Sequence, residues 1–466
     1  MGILLNGIQY IVDLGASVML PIIIFIIGLF LRQGVGKSLK SGITIGIGFV
    51  GIGLVVDLLN ENLGPAAQGM ADNFNLGLSV VDLGWPGTSP MAWSSNMGLI
   101  AIPVAILVNI IMLLLKMTKV VNVDIWNIWH MAFTGAIVQI ATGSFWLGIV
   151  GVIAHAIIAY KLGDIFGQVT DGYFGLEGIA IPHGTSAYMG VLAAPIDDLL
   201  NKIPGINKIN INGEKIEEKL GVFGDPTFIG AILGFIIGLL AGYPVGDALL
   251  LGVQMAAVMI LMPMVVKLIM QGLIPISDAA KKILDKRFKG ENFKIGMDPA
   301  LLLGDQQVIS ASLLFIPLTV LIAAIVPGNE VLPFGDLATI GFFVAMAVAI
   351  HKGNLFRTLF SGSIIMFITI WISNQMISLQ TTLGQNVGLV EQGERVSSLD
   401  QAGSPITYLL SKGLTLEMGL GFFAILIIYG FCFIYTFIKY KKKTLYVENL
   451  NEDFEENEVE SKEDYV

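Results

Sequence analysis

Eleven long apolar segments run through the chain and constrain its fold more than any other feature. A helix needs about 20 mostly apolar residues to cross a bilayer, and these segments approach or exceed that length. Only 13% of the 466 residues are charged, whereas soluble domains average about 25%. We therefore predict an all-α polytopic membrane protein with about 11 transmembrane helices. The predicted spans are 9–31, 38–59, 96–116, 125–143, 145–161, 227–243, 246–268, 307–327, 335–351, 357–378 and 416–439.

The basic residues favour one orientation of these spans. If the C-terminus is cytoplasmic, all of the 26 Lys and Arg residues except Arg395 and Lys412 lie in inward-facing loops or in the C-terminal tail. Positive charge is concentrated on the cytoplasmic side of membrane proteins. Eleven spans then place the N-terminus outside the cell.

An internal repeat relates the first five spans to the next five. FIIGLFLRQGVGKSLKSG from Phe25 aligns without gaps with FIIGLLAGYPVGDALLLG from Phe235, and LIAIPVAIL at Leu99 resembles LLFIPLTVL at Leu313. Because five is odd, the two copies must have opposite topology, which is a transporter architecture. Chance similarity between glycine-rich apolar runs is the alternative. The predicted units are a first repeat at 1–222, an inverted second repeat at 223–378, an extracytoplasmic loop at 379–415, an eleventh span at 416–440 and an acidic cytoplasmic tail at 441–466.

The segment EGIAIPHGTSAYMG, residues 177–190, is apolar but too short to cross a bilayer. It carries polar side chains and helix-breaking residues. Broken backbone at membrane depth is tolerated only where protein or a watery cavity surrounds it. We therefore predict a re-entrant loop that lines a substrate path, with Glu177, His183, Gly184 and Thr185 as candidate contacts.

Two polar residues of the fourth span are further candidates. His130 lies beside Trp129 and four residues after Trp126, a setting in which an aromatic ring could face the C–H side of a polyol while the imidazole bonds its hydroxyls. Gln139 is nine residues further on, so it does not share a helix face with His130. The alternative for His130 is a histidine that bridges two helices.

Three aspartates enter apolar surroundings and could bind hydroxyl groups through charge-assisted hydrogen bonds. Asp298 precedes a proline, and Asp336 follows Gly335 at the start of a predicted span, so either could instead cap a helix. Asp305 lacks so simple an explanation. Gly87 and Thr88, in the predicted outer loop 60–95, could supply backbone N–H groups and a hydroxyl.

Other kinds of site have no sequence signature in this chain. We find no metal-ligand spacing, no nucleotide-binding loop and no Ser/His/Asp set, and the single cysteine, Cys432, lies in an apolar run. We expect no metal, no cofactor, no nucleic-acid partner and no catalysis by this chain alone.

Four motifs resemble the galactitol-specific membrane component, EIIC, of the bacterial phosphoenolpyruvate-dependent sugar phosphotransferase system (PTS). They are VVNVDIWNIWHMAFTGA, LEGIAIPHGTSAYMG, GMDPALLLGD and GNEVLPFGDLATIGFFVAMAVAIHKGNLFRT. The resemblance runs over nearly the whole chain. It implies uptake of galactitol or a close polyol, with phosphorylation during transport by a phosphocysteine on a separate EIIB protein, which is fed by EIIA, HPr and enzyme I. It also implies a homodimer in the bacterial inner membrane, with a core that moves against a scaffold in an elevator-type motion.

The resemblance also implies a set of substrate-binding residues. They are His130, Gln139, Glu177, His183, Gly184, Thr185, Gly87, Thr88, and Asp305 or Asp336. We expect EIIB to dock near the basic segments 267–294 and 352–357. Two other hypotheses stay open from the sequence: an ion-coupled secondary transporter of a small polyol or sugar, and a membrane receptor or scaffold that transports nothing.

Overall fold

The structure is a computed structural model that describes residues 16–73, 78, 80–122, 124, 126–211, 226–287, 293–333, 335–387, 390 and 392–463. Helices make up most of these residues. They are α1 (Ala16–Phe30), α2 (Val35–Asn73), α3 (Gly84–Ser94), α4 (Asn96–Leu114), α5 (Trp126–Thr142), α6 (Phe145–Phe174), α7 (Ser186–Lys202), α8 (Pro226–Leu240), α9 (Val245–Arg287), α10 (Gln306–Ile325), α11 (Ile340–Ile350), α12 (Leu355–Asn386), α13 (Pro405–Leu414) and α14 (Leu420–Glu463). The strands are β1 (Val80–Asp82), β2 (Val120–Asn122), β3 (Ile179–Ala180), β4 (Lys294–Gly296), β5 (Val331–Leu332) and β6 (Val396–Ser397).

Several helices begin at a polar side chain that accepts a hydrogen bond from the first helical turn. Ser144 accepts from the N–H of Leu147 at the start of α6, and Asp305 accepts from the N–H groups of Gln307 and Val308 at the start of α10. These bonds satisfy N–H groups that have no partner within the helix. The fourth and fifth predicted spans, 125–143 and 145–161, leave only one residue between them, and the structure confirms a tight connection, since α5 ends at Thr142 and α6 begins at Phe145.

The short strands form two three-stranded parallel sheets. One has the order β5-β1-β6 and the other the order β2-β4-β3. Each sheet therefore takes its central strand from one half of the chain and its outer strands from the other half. Because the strands are parallel, the loops that follow all three strands of a sheet leave from the same edge. This arrangement positions the polar residues described below.

The two halves of the chain contain helices and strands in a similar order. The turn between α1 and α2 and the turn between α8 and α9 also match in detail. Arg32 and Gly242 occupy equivalent positions with φ of 58° and 83°. The N–H of Gln33 donates to the Gly28 carbonyl at 3.0 Å, and the N–H of Tyr243 donates to the Gly238 carbonyl at 2.9 Å. The aligned sequences thus form the same local structure.

Helices α1, α2, α8 and α9 pack mainly against one another, while the other helices surround the two sheets. The second group contains the buried loops between strands and helices, including residues 179–194, all of which are buried. Contacts between the two groups include those of α9 and α8 with the segment around α10.

Each predicted span overlaps one helix, but the helices differ in length. Within the described residues, five helices are long and apolar enough to cross a membrane: Asn96–Leu114, Phe145–Phe174, Gln306–Ile325, Leu355–Asn386 and Leu420–Lys441. Three shorter apolar stretches are Gly230–Leu240, Val245–Val258 and Ile340–Ile350. The outer face of α14 exposes large apolar side chains such as Leu420, Ile427 and Phe431, as expected for a helix that faces lipid. The count of eleven crossings stays a prediction.

The segment 379–415, which we expected to be a loop, is largely folded. It contains the end of α12, strand β6 and helix α13, and residues 396–408 are buried. Hydropathy did not indicate this, because the buried side chains include several hydroxyl groups and the Asp400 carboxyl, whose hydrogen bonds make burial possible.

Polar side chains join α7 to the connection between α11 and α12. Asp197 Oδ1 accepts hydrogen bonds from His351 Nδ1 and from Arg357, both at 2.9 Å. Burial raises the pKa of the Asp197 carboxyl, but the hydrogen bonds from His351 and Arg357 outweigh burial, so the net pKa is lowered. Arg357 also donates to Asn201 at 2.7 Å. This basic residue is therefore already bound within the chain, which weakens the expectation that it contacts EIIB.

We expect Asp197→Ala to destabilise the detergent-solubilised protein by about 2 kcal/mol, because it leaves the Arg357 guanidinium, 11% exposed, without its carboxylate. Thermal unfolding measures this loss. Glu330→Ala is the matched control, since the Glu330 carboxylate pairs with Arg395 at the surface, where the side chains are 43% and 50% exposed. The control should cost about 0.5 kcal/mol or less. Equal losses in the two variants would contradict the prediction.

Candidate functional site

Two buried loops enter the core, one after β3 and one after β6. His183 follows the last residue of β3 by three positions, and Asp400 follows the last residue of β6 by three positions. Each loop then leads into a helix, α7 or α13. His183 and Asp400 are both 3% exposed. The two loops meet at α5, where His130 is fully buried.

The two histidines are held in the same way. The Gly184 N–H donates to His130 Nδ1 at 3.3 Å, and the Thr185 N–H donates to His183 Nδ1 at 3.3 Å. Since Nδ1 accepts in both rings, the proton of each neutral imidazole is on Nε2. The ring centroids are 4.1 Å apart, with the rings nearly perpendicular. The site therefore presents two fixed Nε2–H donors.

Each Nε2–H faces a carboxylate that is beyond hydrogen-bond distance. His130 Nε2 is 3.6 Å from Asp400 Oδ2, and His183 Nε2 is 3.8 Å from Asp298 Oδ2. A donor–acceptor separation of about 3.6 Å or more is too long for an N–H···O hydrogen bond. A hydroxyl group can accept from a ring N–H and donate to a carboxylate, so this geometry suits hydroxyl-bearing molecules.

Asp400, which links the two loops, was not among the site residues predicted from the sequence. Its Oδ1 accepts from the Thr185 hydroxyl and from Gln401 Nε2, and its backbone N–H donates to Asp336 Oδ2 at 2.8 Å. SSLD at 397–400 and AIPH at 180–183 stand at corresponding strands of the two halves but share no residue, so sequence similarity between the halves did not indicate Asp400. Apolar periodicity does not detect such short polar segments.

Asp336 and Asp82 are buried carboxylates whose oxygens accept backbone N–H groups. Asp336 Oδ1 accepts from Trp85 at 2.9 Å, and Asp82 Oδ2 accepts from Asp336 at 3.0 Å. Hydrogen bonds from backbone N–H groups stabilise a buried carboxylate. Asp82 and Asp336 therefore hold the loop after β1 against the loop after β5, at one edge of their sheet.

A second pair of carboxylates stands at the edge of the other sheet. Asp124 Oδ1 accepts from the N–H of Trp126 at 2.9 Å, and its Oδ2 accepts from the N–H of Asp298 at 3.1 Å. Asp298 Oδ1 caps the following turn through the N–H of Ala300 at 2.7 Å. The cap predicted for Asp298 is confirmed, while its other oxygen faces His183.

An edge-to-face contact between Trp85 and Trp126, with ring centroids 5.9 Å apart, closes a circuit of contacts through both sheet edges. We call the members of this circuit the polar ring. In order of contact they are Trp85, Asp336, Asp400, His130, His183, Asp298, Asp124 and Trp126.

Five of the predicted site residues belong to or contact the polar ring. His130, His183 and Asp336 are members, and Thr185 bonds to Asp400. Gly184 packs against the ring, because a Cβ atom at this position would lie 2.9 Å from His130 Cγ and 2.9 Å from Gln401 Nε2. A side chain at residue 184 would therefore push the two loops apart.

The other predicted site residues lie outside the polar ring. Gln139 is half-buried about 13.5 Å along α5 from His130, at 1.5 Å per residue, and Glu177 is exposed before β3. Thr88 is buried in α3 and accepts from Gln380 at 3.0 Å, with Gly87 beside it. Asp305 caps α10 and accepts from the Tyr173 hydroxyl at 3.3 Å.

Among the described residues, no group of three or more His, Cys, Asp and Glu side chains is placed to hold a metal ion. The arrangement can instead donate and accept hydrogen bonds at several points within one small, buried region.

Comparison with known proteins identifies relatives over most of the chain. The sequence profile of a family described as the PTS system sugar-specific permease component matches residues 10–393. A PTS system galactitol-specific EIIC component from Escherichia coli strain K12 is 60% identical over 402 residues, which cover 86% of this chain and 89% of the relative. A protein of the same description from Escherichia coli O157:H7 matches with the same identity and coverage.

Proposed function

This chain belongs to the family of PTS sugar-specific permease components, and from that membership we propose that it takes up galactitol or a closely related polyol. A separate EIIB protein phosphorylates the polyol as it crosses. The chain is a multi-pass protein of the inner membrane. Its single cysteine, Cys432, is buried in α14, so the phosphocysteine that performs the chemistry belongs to the partner.

The polar ring is the observation that carries this proposal. A polyol presents hydroxyl groups that each donate one hydrogen bond and accept others. The ring offers the Nε2–H groups of His130 and His183, with the carboxylates of Asp400 and Asp298 at 3.6 and 3.8 Å from them. One hydroxyl could bridge each imidazole and its carboxylate. These four residues, with Thr185, are the proposed substrate contacts.

We propose in addition that the fold is a duplicated unit with inverted topology. The matched turns at 31–34 and 241–244 support a duplication. The topology of the sheets supports it as well, since the central strand of each sheet comes from one half of the chain and the two outer strands come from the other half. The second unit then extends to Leu414, because β6 and α13 correspond to β3 and α7. His183 and Asp400 occupy corresponding positions in the two units.

The division of the helices supports an elevator mechanism in a homodimer. We propose that α1, α2, α8 and α9 form the scaffold, and that the helices around the polar ring form the moving core. EIIB approaches from the cytoplasmic side, near 267–294 and Lys352. The side chains of Lys286 and Arg287 and residues 288–292 lie outside the part of the chain that the structure describes, whereas Lys352 is exposed.

The proposal is tested by binding and by uptake. Purified protein should bind galactitol more tightly than its stereoisomers mannitol and sorbitol in calorimetry. His130→Ala and His183→Ala should each weaken galactitol binding at least about tenfold, a loss of about 1.4 kcal/mol, because each removes a fixed donor. In vesicles, galactitol should appear inside as a phosphate ester only when phosphorylated EIIB is supplied on the cytoplasmic side.

Two results would reject this function. Accumulation of unmodified galactitol under a proton gradient, without phosphorylated EIIB, would establish the ion-coupled alternative. Equal affinity for all three alditols, unchanged by either histidine substitution, would place the substrate site elsewhere in the chain. Unphosphorylated EIIB serves as the control in the vesicle experiment.

A further inference from the structure

Most carboxylate oxygens of the polar ring already accept hydrogen bonds from other groups of the protein. Asp336 accepts backbone N–H groups at both oxygens, from Trp85 and Asp400. Asp124 does the same, accepting from Trp126 and Asp298. The sequence suggested that a carboxylate such as Asp336 would bind hydroxyl groups, but its oxygens already serve to hold loops together.

Besides the Nε2–H of His130, four neutral polar atoms on the ring and beside it are buried and have no hydrogen-bond partner among the described residues. Two are donors, the indole Nε1–H groups of Trp85 and Trp126. Two are acceptors, Asn127 Oδ1 and Gln401 Oε1. A buried polar atom left unpaired costs about 1–3 kcal/mol. Four such atoms around one circuit indicate that a ligand completes their hydrogen bonds.

The orientation of both amides follows from the bonds made by their nitrogens. Asn127 Nδ2 donates to Asn122 Oδ1 at 2.8 Å, and Gln401 Nε2 donates to Asp400 Oδ1 at 3.2 Å. Turning either amide over would place its oxygen against another oxygen. The free atom is therefore the acceptor in both residues.

We propose that these four neutral atoms recognise the hydroxyl groups of the polyol, with Trp85 and Trp126 as donors and Asn127 and Gln401 as acceptors. This inference rests on the proposed function and names specificity-determining residues for it. A hydroxyl group can satisfy both kinds of atom. A carboxylate or a fully ionised phosphate group could accept from the indoles but could not donate to the amide oxygens, so the combination of donors and acceptors suits hydroxyl groups.

Each indole is also held in place, which makes its donor selective. The backbone N–H of Trp85 is bound to Asp336, and that of Trp126 to Asp124. The edge-to-face packing of the two rings fixes them relative to each other. Two donors at a fixed separation can match the hydroxyl spacing of one alditol better than that of its stereoisomers.

Calorimetry with galactitol on single substitutions tests the proposal. Trp85→Phe and Trp126→Phe remove the N–H and keep an aromatic ring, so each should weaken galactitol binding about 3- to 10-fold, the loss of about one hydrogen bond. Trp146→Phe is the matched control, because Trp146 is 74% exposed at the start of α6. A galactitol analogue that lacks the contacted hydroxyl should bind the wild type and the affected variant equally.

A second measurement does not depend on the folding of the variants. In wild-type protein labelled with ¹⁵N-tryptophan, galactitol should shift the indole N–H signals of Trp85 and Trp126 downfield and leave that of Trp146 unchanged. Unchanged signals from Trp85 and Trp126, with galactitol affinity retained in both variants, would overturn the proposal while the transport function stands. Failure of the wild type to bind galactitol would instead reject the proposed function itself.

Discussion

Gly84→Ala should strongly destabilise the folded protein. A Cβ atom on residue 84 would lie 2.4 Å from the carbonyl carbon of Gly335 and 2.8 Å from the N–H nitrogen of Asp336. Both are backbone atoms, so neither can rotate away. Residue 84 also has φ of +62°, which costs a residue with a side chain about 1–2 kcal/mol. The total cost should be about 3 kcal/mol or more, a large part of a typical stability of about 5–15 kcal/mol.

Gly143→Ala is the matched control for this prediction. Gly143 has nearly the same backbone conformation, with φ of +67°, but a Cβ atom there would meet nothing within 4 Å. Gly143→Ala should therefore reduce the stability only by the cost of the positive φ. Yield of monodisperse protein in detergent and the thermal midpoint measure both variants. If the two variants behave alike, the close approach of residues 84 and 335 does not limit stability.

Asp400→Asn should abolish tight binding of galactitol while leaving the protein folded. The substitution preserves the shape of the side chain but replaces one carboxylate oxygen by an amide that donates. The new amide NH₂ group would face either the Thr185 hydroxyl, which donates to Oδ1, or the Nε2–H of His130, which faces Oδ2. In either orientation two hydrogen-bond donors would face each other. We expect affinity to fall about 100-fold, which is about 2.7 kcal/mol.

The same substitution outside the polar ring provides the control. Asp198, in α7, accepts from the Tyr435 hydroxyl at 2.6 Å and pairs with Lys439 at 3.0 Å. Asp198→Asn should therefore leave galactitol affinity unchanged. Calorimetry on both variants makes the comparison, with thermal unfolding to confirm that each is folded. Wild-type affinity in Asp400→Asn would show that the loop after β6 does not shape the site.

The packed helices could be predicted because their signal is local. Every predicted span overlaps a helix, since long apolar runs favour helices of membrane-spanning length. The repeated sequence around Phe25 and Phe235 also predicted two turns that match in their hydrogen bonds. Local sequence determines such features, because nearby residues supply both the backbone preferences and the hydrogen-bond partners.

Helices α3, α7 and α13 were not predicted as separate helices. Each has 17 residues or fewer and includes polar residues. Their polar side chains are buried against partners distant in sequence, as Thr88 in α3 is against Gln380 and Thr407 in α13 is against Thr134. Hydropathy counts these residues as unfavourable to burial, because it does not include hydrogen bonds that form only in the folded chain.

By itself the sequence determined a helical membrane protein of the PTS permease family and identified His130, His183 and Thr185 as candidate contacts. Only the tertiary structure showed that Asp400, Asp298 and the indoles of Trp85 and Trp126 lie beside these residues or in the same polar ring. Parallel pairing of strands from opposite halves of the chain aligns loops that are more than 200 residues apart, as Asp82 and Asp336 are. The physical reason is that long-range hydrogen bonding sets the partners of a buried polar group, and residue type or local spacing does not reveal that bonding.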